Sequence, residues 1–206
     1  MIRFIGNLPQ ECTVAFSGGV DSVAIADFLL RGRKKVQLAF FNHGTSASIE
    51  GEAFARHFAE TRSLQLQIGH VTRPKRVDES QEEYWRRQRY EFLFTLPNTV
   101  VTAHHLDDAV ESWIFNSLHG KPHIIPYSNR NVVRPFLITP KSELIEWCNR
   151  KNLMWSEDAS NSDVVYMRNL IRHRIVPEAL KVNPGLRTVV KKMYLRDDIS
   201  QDANIS

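Results

Sequence analysis

Cysteine is scarce in this sequence, which has only Cys12 and Cys148 among its 206 residues. Because they form no Cys-x-x-Cys pair, we expect no structural zinc site, no iron–sulfur cluster and no disulfide framework. We predict instead that both thiols are small buried hydrophobic groups. Such sparing use of cysteine is typical of a reducing compartment, so the sequence predicts a cytoplasmic protein.

Long apolar runs are also missing. No stretch approaches the roughly 20 apolar residues that span a bilayer, and the first residues lack the pattern of a cleaved signal peptide. We therefore expect no membrane partner. The formal net charge of +4 is a modest basic excess. It favours a polyanionic partner such as RNA or a nucleotide, and ordinary solubility is the alternative explanation.

Short apolar runs alternate along the chain with segments of helical period. The pattern predicts strands at 13–16, 36–41, 64–68, 99–103 and 132–137, and helices at 22–30, 49–61, 79–94 and 106–118. Because strands that alternate with helices form parallel units with right-handed crossovers, we expect an α/β fold. Its doubly wound, mainly parallel five-stranded sheet is flanked by helices.

The pattern changes after the fifth predicted strand. We predict a main domain at residues 1–138 and a small helical C-terminal extension at 139–196 that packs on the same domain. Its helices are expected at 140–149, at 166–175, ending before Pro177, and at 184–195. The polar tail, residues 197–206, is predicted to be disordered.

The strongest motif is a glycine-containing hexapeptide between the first strand and the first helix. Its residues are Ser17, Gly18, Gly19, Val20, Asp21 and Ser22. Backbone N–H groups at such a helix start bind anions, and glycine lets the backbone approach a phosphate closely. Because the Asp21 carboxylate would repel a bare phosphate, we expect it to hold Mg²⁺ that bridges phosphates. A plain tight turn is the alternative, and no Walker A lysine follows.

This hexapeptide resembles the signature of the PP-loop ATP pyrophosphatase family, which has the fold of the adenine nucleotide alpha hydrolases. Members of that family release pyrophosphate rather than the γ-phosphate. The resemblance implies that the hexapeptide binds the pyrophosphate part of ATP, with Mg²⁺ as the second cofactor. It places ATP at the carboxyl ends of the parallel strands, where open α/β sheets generally bind ligands.

Polar motifs also follow the second and fourth predicted strands. His43 lies in Asn-His-Gly, and His104 and His105 open the segment His-His-Leu-Asp-Asp, which Glu111 follows one helical turn later. Together these motifs resemble the tRNA(Ile)-lysidine synthetase family, which implies that the three histidines lie beside ATP. Asp108 and Glu111 share a helix face and could hold Mg²⁺ or a substrate ammonium. Helix capping by the two aspartates is the alternative.

Two basic segments extend the resemblance to this family. Arg86 and Arg89 belong to an Arg-x-x-Arg-Tyr helix and share a face suited to phosphates, although a solvated basic face would look the same. A later segment resembles the family signature Asp-x-Ser-Asn…Tyr-x-Arg-Asn-x-Ile-Arg. It implies a substrate site that includes Asn161, Arg168, Asn169 and Arg172. A structural polar turn and a surface helix are the alternative.

The resemblance, over about residues 13–180, implies an ATP-dependent ligase that adenylates the wobble cytidine of an isoleucine tRNA. Lysine then replaces AMP and forms lysidine, so tRNA and lysine are the expected partners. The implied catalytic residues are Asp21, Asp108, Glu111, Arg168 and Arg172. Because the family continues into C-terminal domains that help hold tRNA, a homodimer or a partner protein is expected to supply those contacts. The alternatives are another PP-loop tRNA-modifying enzyme, such as a thiolase or a different amine ligase, and a non-catalytic nucleotide- or RNA-binding module.

Overall fold

A computed structural model describes residues 1–156 and 167–202. Six strands and eight α-helices are found in these two ranges. The first half contains β1 (Glu11–Ala15), α1 (Val20–Arg31), β2 (Lys35–Asn42), α2 (Ser46–Glu60), β3 (Leu66–His70), α3 (Gln81–Thr95), β4 (Val100–Val101) and α4 (Leu106–Leu118). The second half contains β5 (Ser128–Asn129), β6 (Val132–Val133), α5 (Lys141–Arg150), α6 (Met167–Leu170), a π-helical turn (Ile171–Ile175), α7 (Val176–Val182) and α8 (Leu186–Asp202).

The strands form one sheet in the order β3-β2-β1-β4-β6-β5. All neighbours are parallel except β5, which runs antiparallel to β6. Apolar side chains of β1 and β2, such as Val14 and Leu38, are fully buried, as expected for strands covered on both faces. The chain order reverses between β1 and β4, and open α/β sheets bind ligands at the carboxyl end of such a switch point.

The predicted α/β class is confirmed, but the sheet has six strands rather than five. The additional strand, β5, lies between the helix predicted at 106–118 and the strand predicted at 132–137, where the sequence predicted neither a helix nor a strand. A two-residue turn joins it to β6, and Arg130 in that turn has a left-handed φ of 54°. The polar residues of β5 show no alternation of apolar and polar side chains, so the pairing left no periodic signal.

The C-terminal helices also differ from the prediction in their ends. The expectation that a helix stops before Pro177 was wrong, since the π-helical turn continues directly into α7. Pro177 lies in the first turn of α7, where the missing N–H costs little. Helix α8 continues past Leu195 to Asp202, with no glycine or proline to end it, and residues 203–206 lie outside the described residues. The division into domains stays a prediction.

Three hydrophobic clusters form the core, and both cysteines are buried and unpaired, as predicted. The first cluster joins β1 and β2 to α1, α2 and α5, and the second joins α4 to α7 and α8. Burial raises the pKa of Cys12 and of Cys148 to about 11, so neither thiol is a thiolate at neutral pH. No helix within the described ranges has the length and apolarity needed to cross a membrane.

Helix α3 packs closely on β3 at Gly69. A Cβ atom at this position would lie 2.5 Å from Cγ of Phe92, far inside contact distance. We therefore expect Gly69→Ala to lower the free energy of unfolding by about 1–3 kcal/mol, as overpacking generally does. Urea denaturation of this variant, alone and combined with Phe92→Leu, measures the effect. The smaller leucine should recover part of the loss, and an equal loss in both backgrounds would contradict the steric explanation.

Candidate active site

The hexapeptide forms the connection between β1 and α1. Gly18 has a left-handed φ of +84°, and a Cβ atom there would lie 3.1 Å from the ring of Phe54. Gly19 occupies the N-cap of α1 and has no side chain that could cap the first N–H groups. These N–H groups, together with the positive end of the helix dipole, are therefore available to an anion.

The two serine hydroxyls of the loop differ in their roles. The Ser22 hydroxyl is buried and donates to the carbonyl oxygen of Gly19 at 3.0 Å, while the Ser17 N–H donates to Ser22 Oγ at 3.2 Å. The Gly19 N–H points at Ser17 Oγ at 3.4 Å. Ser22 thus stabilises the loop conformation, whereas Ser17 is exposed to solvent. Phosphate binding by either hydroxyl stays a prediction.

Asp21, the second residue of α1, has one oxygen engaged and one without a partner. Its Oδ2 atom lies 3.6 Å from His105 Nε2 and 3.8 Å from Lys141 Nζ. Its Oδ1 atom is buried and accepts no hydrogen bond within the described residues. No group of three or more histidine, cysteine or acidic side chains in the described part could hold a metal. One carboxylate suits Mg²⁺, which takes its other ligands from water and phosphates.

The buried imidazole of His105 caps α4. Its Nδ1 atom accepts from the Asp108 N–H at 3.3 Å, and Asp108 Oδ2 accepts in return from the His105 N–H at 3.0 Å. This reciprocal pair is a capping box, so the capping interpretation of Asp108 is confirmed. Burial lowers the pKa of His105, but Asp108 and Asp21 more than offset that and leave the pKa raised. Capping also turns the His105 ring so that its Nε2 atom faces Asp21.

Asp107 has a structural role that the motif did not reveal. One of its oxygens accepts from the Lys141 N–H at 2.8 Å, and the other accepts from Arg187 Nε at 2.8 Å. It therefore ties the start of α4 to the start of α5 and to α8. This contact also brings the Lys141 ammonium toward Asp21.

The other two histidines are neutral imidazoles. Burial lowers the pKa of His104 to about 3, and its Nδ1 atom lies 2.8 Å from Thr102 Oγ1. Burial also lowers the pKa of His43 to about 4, with a smaller contribution from the charge of Arg89. At neutral pH both rings can hydrogen-bond without carrying a charge.

Glu111 and Arg172 form a bidentate ion pair in the site. Arg172 Nε lies 2.7 Å from Glu111 Oε1, its second nitrogen lies 2.9 Å from Oε2, and that nitrogen is 3.4 Å from Asp108 Oδ1. Burial raises the pKa of Glu111 even though Arg172 acts to lower it. Burial alone would also raise the pKa of Asp108, but the charge of His105, helped by the His105 N–H and by Arg172, outweighs it and leaves that pKa lowered.

The structure therefore brings together Asp21, His105, Asp108, Glu111 and Arg172, while the roles that the resemblance gives them stay predictions. Asn161 lies outside the described residues, and so does the side chain of Arg168, whose backbone lies in α6. Asn169 is a half-buried residue of the same short helix. Arg86 and Arg89 lie on α3, with their guanidinium groups 4.8 and 5.9 Å from the ring centre of Tyr90.

Sequence reasoning missed Lys141. Its position in the first turn of α5 was the available signal, because a cation at a helix N-terminus opposes the helix dipole and needs another reason to be there. The structure supplies that reason in the 3.8 Å approach to Asp21.

A family model described as a PP-loop domain matches residues 3–179. The chain belongs to the PP-loop domain family. This PP-loop protein is 33% identical to the tRNA(Ile)-lysidine synthase of Nitrosomonas europaea over 195 residues, which are 86% of this chain and 43% of the relative. It is also 33% identical to the tRNA(Ile)-lysidine synthase of Geobacter sulfurreducens over 197 residues, 85% of this chain and 41% of the relative.

Both curated relatives are more than twice as long as the part that aligns, so the chain spans less than half of their length. Among solved structures, the NH3-dependent NAD synthetase from Campylobacter jejuni has a TM-score of 0.49 and 16% identity. That match covers 92% of this chain and 86% of the synthetase chain.

We predict that Arg172→Met raises the pKa of Glu111 further in this PP-loop protein, because burial remains and the neutralising guanidinium is lost. A carboxyl group whose folded pKa is raised makes the folded state less stable as pH rises from about 4.3 through that pKa. The free energy of unfolding should therefore fall more steeply over this range in the variant. Side-chain carboxyl NMR shifts give the pKa directly.

Arg187→Met is the matched control, since Arg187 faces Asp107 and not Glu111. An unchanged Glu111 pKa in Arg172→Met, or an equal rise in both variants, would refute the role given to the ion pair.

Proposed function

We propose that this PP-loop protein catalyses ATP-dependent formation of lysidine on the wobble cytidine of an isoleucine tRNA. The observation that carries the proposal is a continuous group of side chains. It runs from Asp21 in the anion-binding loop, through His105, to the carboxylates of Asp108 and Glu111. A site that binds a triphosphate beside carboxylates suited to an ammonium fits adenylation followed by amine transfer. The lysidine synthases among its relatives support this substrate pair.

In the first step, the triphosphate of ATP binds at the N-terminus of α1, and its α-phosphate faces the cytidine. The O2 atom of the base attacks the α-phosphorus, the bond to the bridging oxygen breaks, and pyrophosphate leaves. Asp21 would hold Mg²⁺, which when bound neutralises charge on the leaving group. The Lys141 ammonium, close to Asp21, adds a second positive charge for the same phosphates. The loop mainly aligns the displacement.

In the second step, the amine of lysine attacks the base carbon that bears the adenylate, and AMP leaves. Asp108 or Glu111 orients the incoming ammonium. The raised pKa of Glu111 makes it the better of the two for accepting a proton from the amine, since its affinity for protons is higher. Arg172, which contacts both carboxylates, is positioned to neutralise the departing phosphate.

The two alternatives have less support. A thiolase that depends on reactive cysteines is not favoured, because both thiols are buried and have raised pKa values. A non-catalytic binding module would not need a carboxylate oxygen left without a partner beside the loop. That a second copy or a partner protein supplies further tRNA contacts stays a prediction. ATP and tRNA as substrates fit the predicted cytoplasmic location.

Asp21→Asn tests the first step. It keeps the shape of the side chain but removes the charge that would hold Mg²⁺, so we expect tRNA-dependent ATP–pyrophosphate exchange to fall about 100-fold or more. Glu11→Gln, which changes an exposed carboxylate at the amino-terminal end of β1, is the control and should exchange normally. Undiminished exchange by Asp21→Asn would remove the metal role from this residue.

Glu111→Gln separates the second step from the first. Lysine transfer to tRNA, followed with labelled lysine, should slow at least tenfold with a higher KM for lysine, because the amine loses its charged partner. Pyrophosphate exchange should stay within a few-fold of the parent protein. Glu178→Gln, an exposed residue of α7, serves as the control. Equal losses in both half-reactions would indicate that Glu111 does not act on the amine.

A further inference from the structure

A continuous series of aromatic rings rises from the sheet at the carboxyl end of β2. Phe92 and Phe41 have ring centres 5.8 Å apart, Phe41 and His43 are 4.9 Å apart, and His43 and Trp85 are 5.4 Å apart. Phe41 is buried, whereas His43 and Trp85 are half-buried. The series therefore begins in the core and ends at the surface. It lies at the carboxyl ends of the parallel strands, as the anion-binding loop does. The proposed chemistry gives Trp85 no role.

His43 brings an unused hydrogen-bonding group to this surface. Its ring is neutral, and its Nδ1 atom is buried without a hydrogen-bond partner in the described ranges. A buried polar atom without a partner costs free energy, and such atoms often mark a place where a ligand or a water completes the bond.

Basic residues of α3 adjoin the exposed end of the series. Trp85 is followed directly by Arg86, and the charge of Arg89, one turn further along α3, acts on His43. The side-chain oxygen of Gln88 accepts from the backbone N–H groups of Thr72 and Arg73, both at 3.0 Å. These bonds fix the basic loop at 71–78, which includes Lys75 and Arg76, against α3. Aromatic rings set among cations are the usual arrangement for single-stranded nucleic acid.

We propose that Trp85 and His43 form a stacking platform for one nucleobase, with Arg86, Arg89 and the basic loop holding the attached phosphates. The inference rests on the proposed function, since it assigns a place for a base of the RNA substrate. The same ring chemistry would also accept the adenine of ATP. Because Trp85 packs on His43, and His43 packs on the buried ring of Phe41, these rings are held in place before the ligand arrives, which reduces the entropy lost on binding.

The test compares Trp85→Leu with Trp85→Phe. Binding of a cytidine-rich single-stranded oligoribonucleotide is measured by fluorescence anisotropy at several salt concentrations, and ATP binding is measured by calorimetry. Trp85→Leu should weaken RNA binding about tenfold at every salt concentration, because a stacking contact releases no counterions. Trp85→Phe, which keeps an aromatic ring, should retain most of the affinity.

Arg76→Gln is the matched control in the basic loop. This variant should reduce the slope of log binding constant against log salt concentration by about one, since it removes one phosphate contact. Its loss of RNA affinity should become smaller as the salt concentration rises. Thermal unfolding of each variant establishes that the comparison is made between folded proteins.

Weaker ATP binding with unchanged RNA binding in Trp85→Leu would keep the platform and identify its base as adenine. Unchanged affinity for both ligands in Trp85→Leu, or a parent protein that binds neither, would overturn the inference. These binding outcomes do not depend on catalysis. A protein that fails to form lysidine but binds RNA through Trp85 would refute the proposed function alone. A protein that forms lysidine, and whose RNA and ATP affinities are the same in Trp85→Leu, would refute the platform alone.

Discussion

The buried imidazole of His105 is the contact on which the rest of the candidate site depends. Its Nδ1 atom caps α4 and thereby fixes the direction of the helix face that carries Asp108 and Glu111. Its Nε2 atom faces Asp21 in the loop at the start of α1. One side chain thus joins two helix N-termini, each of which favours negative charge. Without it, three carboxylates would face one another across a partly buried space with less to offset their repulsion.

Topology explains why two distant segments meet at this histidine. Strands β1 and β4 are neighbours, with Val14 beside Val101, and both are followed by helices that start at the same edge of the sheet. The chain order reverses there, so the two connections diverge, and open α/β sheets generally bind ligands between such connections. Asp107 then fastens α5 and α8 to the same place through the Lys141 backbone and Arg187. Strand pairing therefore places the helix starts next to each other, and the hydrogen bonds and ion pairs of charged side chains then hold them there.

What the sequence predicts well is local. The predicted and observed limits of α4 agree because its capping residues and apolar period lie within one segment, and the loop at 17–22 follows from glycines at a strand end. The sequence did not reveal β5, the passage of the helix through Pro177, or Lys141 beside Asp21. Strand β5 pairs with a neighbour in the chain, but its two residues are polar and too few to show an alternation. Lys141 depends on a residue far away in the chain, because the bond to Asp107 brings it to Asp21. Such contacts leave no periodic pattern.

The ion pairs of Arg172 affect the order of the two proposed reaction steps. The guanidinium already contacts Glu111 and Asp108, so an incoming ammonium would compete for the same oxygens. Burial raises the Glu111 pKa even with Arg172 present, and the arginine's departure would raise it further. In the proposed reaction, a negative adenylate phosphate that draws Arg172 away would therefore free the carboxylates and strengthen Glu111 as a proton acceptor. The same displacement would admit the amine only after the base has been activated, which protects the site from unproductive binding.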